Sequence, residues 1–193
     1  MKNVAIFASG SGTNAQTIIE HLRKGSLGKV SIILSNNKDA YVLERAKKYN
    51  IPVYVFTKEE FYNASGIEDL LLKQKTDLIV LAGFLWLVPK SLIMAFPNRI
   101  INIHPALLPN YGGKGMYGMH VHEEVIKQKE KESGISVHYV NEHYDEGNII
   151  FQAKCKIENG DTPESLAEKI HALEHRHLPL IVERLLKESD DKD

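Results

Sequence analysis

The sequence predicts an α/β protein with a Rossmann-like, doubly wound, mostly parallel sheet and an antiparallel part towards the C-terminus. Three observations predict it. Short apolar runs alternate with helically spaced segments through the first half of the chain, the pattern of βαβ units with right-handed crossovers. The first run passes straight into Ser9-Gly10-Ser11-Gly12-Thr13-Asn14 and then into a helix pattern. Two late strand patterns follow one another around Asp145-Glu146-Gly147-Asn148, a turn sequence that predicts a hairpin.

Taken in order, Val4 to Ala8 is continuously apolar, as in a strand buried on both faces. Ile18, Ile19 and Leu22 give Ala15 to Arg23 helical spacing, with Ser11, Thr13 or Asn14 available as cap. Val30 to Leu34 is a second strand and ends in Ser35-Asn36-Asn37. Ala40 to Tyr49 is helical, and Val53 to Phe56 is a third strand. Lys58 to Lys75 reads as helix interrupted near Gly66. Leu78 to Ala82 is the fourth strand, followed by the apolar connection Gly83 to Pro89. A short helix over Ser91 to Phe96 precedes the strand Arg99 to Ile103. His120 to Lys131 reads as helix, and Ile135 to Val140 and Asn148 to Lys156 as strands. Thr162-Pro163-Glu164 opens the last helix with threonine at N-cap and proline at N1; a break is expected at Pro179, and a frayed charged tail from Lys187 to Asp193.

The 193 residues suffice for one domain, 1–193. Hydrophobic content of 43%, charged content of 25% and a formal net charge of −1 are those of an ordinary globular protein and exclude a charge-driven association with nucleic acid or an anionic membrane. The longest apolar run, Leu78 to Val88, is too short to span a bilayer, and the N-terminus carries no signal-peptide pattern. The single cysteine, Cys155, excludes an internal disulfide and reads as a structural thiol in a reducing, cytoplasmic setting.

Chemistry concentrates at Asn102-Ile103-His104-Pro105. Asn102 and His104 are two apart on a strand and share a side, and Pro105 ends the strand. They therefore stand at the carboxyl end of an apolar strand, where open α/β sheets keep their sites. A satisfied core histidine beside a turn asparagine is the competing reading of that pair. The glycine loop at residues 9–14 has the strand–loop–helix arrangement that binds phosphate. It lacks the Gly-Lys-[Ser/Thr] ending of a nucleotide-triphosphate loop and the third glycine of a dinucleotide fingerprint. The apolar 83–89 connection is either core packing or the wall of a pocket for a flat ligand.

An imidazole, an amide donor and the acid Asp145 suit acyl transfer through a tetrahedral intermediate, with Asp145 expected to raise the His104 pKa. No serine or cysteine stands in a nucleophile setting. The pairs His120/His122 and His175/His177 fall on predicted helices, where residues two apart face different ways, so no metal site is expected.

Asn102-Ile-His104-Pro-Ala-Leu-Leu-Pro109, the Ser-Gly-Ser-Gly-Thr-Asn loop, Val80-Leu-Ala-Gly-Phe84, Gly134-x-Ser-Val-His138, Asp145-x-Gly147 and Glu174-His175 together closely resemble the phosphoribosylglycinamide formyltransferases of purine synthesis, over nearly the whole chain. The resemblance implies the formyltransferase fold and two substrates, 10-formyltetrahydrofolate and 5-phosphoribosylglycinamide. It implies Asn102, His104 and Asp145 as the catalytic trio. It implies Ser11, Gly12, Thr13, Asn14, Lys169 and Glu174 for the ribotide. For the folate it implies Phe84, Leu85, Trp86, Leu87, Val88, Asn102, Val140, Asn141 and Glu142. The N-terminal half would serve the ribotide and the C-terminal half the folate, in a monomer or weak homodimer. Two departures stand out: Ala64 occupies a position where the family often has an arginine for the folate tail, and the loop over residues 112–119 is longer than usual. Among relatives sharing the Asn-x-His and Asp pattern, methionyl-tRNA formyltransferase would need a further basic RNA-binding domain. Formyltetrahydrofolate deformylase would need neither the phosphate loop nor a ribotide.

Overall fold

A computed structural model describes residues 1–63 and 65–188. Ala64, where the family often has an arginine, and residues 189–193 of the expected frayed tail lie outside the described residues, whereas Lys187 and Glu188 belong to the last helix. The elements run β1 Lys2–Phe7, α1 Thr13–Leu22, β2 Gly28–Ser35, α2 Tyr41–Lys48, β3 Val53–Val55, α3 Lys58–Asn63, α4 Gly66–Lys73, β4 Thr76–Leu81, α5 Lys90–Ala95, β5 Ile100–His104, α6 Met119–Lys127, β6 Glu132–Tyr139, β7 Ile149–Lys156 and α7 Pro163–Glu188.

The seven strands form one sheet in the order β3-β2-β1-β4-β5-β6-β7. β1 to β5 pair in parallel, and β6 and β7 are added antiparallel. The predicted mixed, mostly parallel sheet is therefore the one observed. Strand order reverses between β1 and β4, the switch point where such sheets open a crevice beyond their carboxyl ends. Strand periodicity divides the core between two faces. Val4, Ile6 and Ala8 pack with α1, α6 and α7 on one face, while Ala5 and Phe7 pack with Phe61, Leu71 and Leu92 on the other.

Four local expectations change. α6 stops at Lys127 and β6 starts at Glu132, because Lys129 takes a left-handed φ of 57° that ends the helix. β6 and β7 pair as expected, but residues 140–148 form a wide loop rather than a tight turn at 145–148. The α1 N-terminus carries no side-chain cap among the described residues: Gly12 sits there at φ 71°, where a Cβ would overlap the Val42 side chain. α7 runs unbroken through Pro179, which is buried beside Leu178, Ile181 and Val182; that burial offsets the backbone hydrogen bond proline cannot make. At the start of α7, Thr162 and Ser165 exchange capping bonds, with Thr162 Oγ1 accepting from Ser165 N–H at 3.3 Å. Cys155, on β7, is half-buried, and burial raises its thiol pKa. No helix among the described residues is long and apolar enough to cross a membrane.

Candidate active site

A cavity of about 670 Å³ opens at the carboxyl ends of β1, β4 and β5. At one end lies the 9–14 loop, held in place by neighbouring elements. Ser9 N–H donates to Gly83 O at 3.0 Å, tying the two loops at the switch point. Arg45 Nε donates to Ser11 O at 2.7 Å. Asn14 Nδ2 donates to Glu174 Oε2 at 2.9 Å and so joins α1 to α7. Burial raises the Glu174 pKa, against the opposing effects of the Asn14 bond and His171. Ser9 Oγ and Asn14 Oδ1 are buried without a hydrogen-bond partner among the described residues. Buried polar atoms normally have partners, so this end of the cavity is chemically set up for a polar ligand. The α1 N-terminus adds backbone N–H groups and a partial positive charge.

The other end is apolar. Phe84 and Val88 are buried, Trp86 and Leu87 half-buried, and Leu85 is 45% exposed. Trp86 is no free-standing wall. It closes an aromatic cluster with Phe56, Phe61, Phe84 and Tyr62, stacking on Tyr62 at 6.2 Å. Tyr62 OH in turn donates to Leu87 O at 2.9 Å and fixes the connection.

Between the two ends stand the polar groups. β5 brings Asn102 opposite His138 of β6. His138 Nδ1–H donates to Tyr139 O at 2.8 Å, which leaves a lone pair on Nε2. Asn102 Nδ2 donates to that nitrogen at 3.1 Å and to Asp145 Oδ1 at 3.3 Å, which sets the amide's orientation. Asp145 Oδ2 accepts from Gly113 N–H at 2.9 Å and lies 3.5 Å from His104 Nδ1. His104 Nε2–H donates to Tyr111 O at 2.7 Å.

Electrostatics follow from this packing. Burial lowers the His104 pKa and outweighs the upward pull of Asp145 and the Tyr111 carbonyl, so the expected net rise does not occur. Burial by itself would raise the Asp145 pKa. The His138 ring 3.5 Å away, the nearby His104 and the Gly113 N–H together bring it below the ordinary value, so the carboxylate is ionised at neutral pH.

The structure gathers Ser11, Gly12, Thr13, Asn14, Phe84 to Val88, Asn102, His104, Val140, Asp145 and Glu174 around this cavity. Asn141, Glu142 and Lys169 do not line it. Asn141 Oδ1 accepts from His143 N–H, Glu142 meets Lys90 at 3.1 Å, and Lys169 meets Asp161 at 2.5 Å. Both halves of the chain line each end. His138, His122 and His171 line the cavity and were not singled out from sequence as site residues. For His171 a signal existed: it stands three residues before Glu174, about 60° round the helix, whereas Lys169, five before, is about 140° away. His138 lay two residues from Ser136 on an alternating strand, but only its pairing with β5 brings it to Asn102. His122 is 3% exposed, its Nδ1 has no hydrogen-bond partner among the described residues, and burial, His171 and His104 lower its pKa to about 4. His120 points to solvent and His177 packs on Phe151, so the paired histidines do diverge. Among the described residues no group of three or more His, Cys, Asp or Glu could hold a metal ion.

Comparison with known proteins returns one consistent answer. The formyl transferase family model matches residues 2–182. A phosphoribosylglycinamide formyltransferase of Bacillus subtilis is 35% identical over 191 residues, covering 96% of this chain and 95% of that protein. The chloroplastic enzyme of Arabidopsis thaliana is 42% identical over 181 residues, 91% of this chain. The chain spans 62% of the length of that relative and 62% of its Vigna unguiculata counterpart. Among solved structures, the phosphoribosylglycinamide formyltransferase of Bacillus halodurans superposes with a TM-score of 0.87 at 39% identity, covering 97% of both chains.

Proposed function

The chain belongs to the formyl transferase family, and we propose that it moves the formyl group of 10-formyltetrahydrofolate to the amine of 5-phosphoribosylglycinamide, releasing tetrahydrofolate. The observation that carries this reading is the order of chemistry along one cavity: a phosphate-type loop, then an ionised carboxylate with an amide and imidazoles, then an apolar wall. The ribotide phosphate goes to residues 11–14 at the α1 N-terminus, with Glu174 facing its ribose or glycinamide end. The folate ring goes against Phe84 to Val88 and Val140. The protein acts in the cytoplasm as a monomer or weak homodimer, without nucleic acid or membrane, and the formyl donor is a co-substrate.

The chemistry needs three things. The amine nitrogen attacks the formyl carbon, the carbonyl oxygen takes negative charge, and the bond to the folate nitrogen breaks as a proton passes from the incoming to the outgoing nitrogen. Asn102 supplies the uncharged donor for the oxygen, exchanging its longer 3.3 Å bond to Asp145 for one to the oxyanion. Asp145, ionised, attracts the amine proton. His104 has Nε2 committed to Tyr111 O, so Nδ1, on the Asp145 side, is the nitrogen free to take and return that proton.

The test is release of tetrahydrofolate from 10-formyltetrahydrofolate, with and without the ribotide, beside Asn102→Ala. Release that requires the ribotide and falls 10²- to 10³-fold in the variant is expected. Release at one rate with or without ribotide would make the protein a hydrolase and remove the phosphate assignment.

A further inference from the structure

Tyr111 has a bulky side chain in the left-handed region, at φ 55°. A residue of that kind stays there only when its surroundings hold it. Its ring packs against the core formed by the sheet, α6 and α7. Its phenol donates to Glu130 Oε1 at 2.7 Å, in the turn between α6 and β6. Burial, and then the bond to Glu130, push the phenol pKa up to about 12, so it remains a donor across any working pH.

The backbone this anchor holds touches the reacting centre twice. The Tyr111 carbonyl accepts from His104 Nε2 at 2.7 Å. Two residues on, Gly113 N–H donates to Asp145 Oδ2 at 2.9 Å. Between them Gly112 has no room for a side chain: a Cβ would meet the Leu108 side chain at 2.6 Å and Asp145 Cβ at 3.2 Å. The turn therefore lies directly on Asp145. It has no freedom to adjust one contact without disturbing the other.

A neutral imidazole carries its hydrogen on whichever nitrogen has the better acceptor. Without the Tyr111 carbonyl, His104 would be free to place it on Nδ1 against the Asp145 carboxylate. We propose that Tyr111 and Glu130 form a positioning pair: their side-chain bond holds the 111–113 turn so that its carbonyl keeps the His104 hydrogen on Nε2 and its N–H aims Asp145. Neither residue touches substrate. The kinetic part of the inference rests on the formyl-transfer reading above; the tautomer part does not.

Three variants of the full chain test it: Tyr111→Phe, Glu130→Ala and the conservative Glu130→Gln, whose amide oxygen still accepts from the phenol. The His104 tautomer is read from imidazole ¹⁵N shifts, assigned by loss of the signal in His104→Gln. Kinetics are read as separate kcat and KM values, with melting curves to show that each variant is folded. Expected is a single Nε2–H form in the parent and in Glu130→Gln, and a mixed tautomer in Tyr111→Phe and Glu130→Ala. With it goes a drop of about tenfold in kcat, the scale of outer contacts that orient a site histidine, with both KM values within about twofold. Wild-type tautomer and kcat in folded Tyr111→Phe or Glu130→Ala would overturn the proposal. So would a rise in KM at unchanged kcat, which would make the turn a substrate contact. If the parent itself shows no ribotide-dependent transfer, the functional reading fails, while the ¹⁵N spectra still decide whether the pair sets the tautomer.

Discussion

Asn102 and His138 face each other across antiparallel β5 and β6, and the Asn102 amide donates to the lone pair of His138 Nε2 at 3.1 Å. The relationship has a direction. His138 can only accept there because its Nδ1–H is bound to the Tyr139 carbonyl. Asn102 is thereby held with its N–H groups, rather than its oxygen, towards Asp145.

Replacing Asn102 by aspartate tests that direction. The variant removes both donors and sets a carboxylate oxygen against the Asp145 carboxylate and the His138 lone pair. Like charges there are costly. Formyl transfer should fall at least as far as in Asn102→Ala, and the melting temperature should fall as well. A variant with near-normal kcat would show that Asn102 donates to nothing in the transition state.

In the role proposed for it, His104 should set an acid limit on the rate. Its Nδ1 must hold a lone pair to take a proton, and burial lowers its pKa despite Asp145, while His138 pushes it the same way as burial. Transfer should therefore rise with pH through a pKa below the ordinary imidazole value of about 6.5 and be level at neutral pH. The measurement is log kcat against pH. An acid limb centred above pH 7 would mean that the Asp145 carboxylate outweighs burial and raises the His104 pKa, which would overturn this prediction.

His122 makes stability fall in acid. Folded, it takes a proton only near pH 4; unfolded, near 6.5. Between those values the unfolded chain binds more protons, so stability is full above pH 6.5, declines as pH falls towards 4, and declines no further from this group below that. The span corresponds to on the order of 3 kcal/mol. His122→Phe, which also removes the unpartnered Nδ1, should show a shallower loss of denaturation midpoint between pH 7 and pH 4.5. Parallel curves for the two proteins would exclude the group.

Gly147 explains why an Asp-x-Gly sequence places the carboxylate. A Cβ at Gly147 would overlap the Tyr139 carbonyl oxygen and approach His138 Nδ1 at 3.5 Å. Gly147→Ala must therefore push the 145–147 segment off β6, taking Asp145 with it. A destabilisation of about 2 kcal/mol or more, with a larger proportional loss of kcat than of melting temperature, is expected. Normal activity would show that the segment relocates without moving the carboxylate.

What the sequence determined by itself was local and periodic. Alternation of apolar runs with helical spacing made the sheet mostly parallel, because parallel strands need crossovers. Asn102 and His104 could be put on one side of one strand end, since a period of two leaves no choice. The glycine loop, the apolar 84–88 connection and the acid at 145 could each be named from residue types. Tertiary structure alone decided how these meet. The antiparallel register of β6 on β5 brings His138 to Asn102. Helical phase turns His171 towards the cavity and leaves Lys169 on Asp161. Desolvation decides the sign of the His104 shift, against its carboxylate neighbour. The Tyr111 carbonyl meets His104, while the phenol of the same residue is tied to Glu130, 19 residues further along the chain. Register, phase and burial depend on which surfaces pack together, and no window of sequence contains that information.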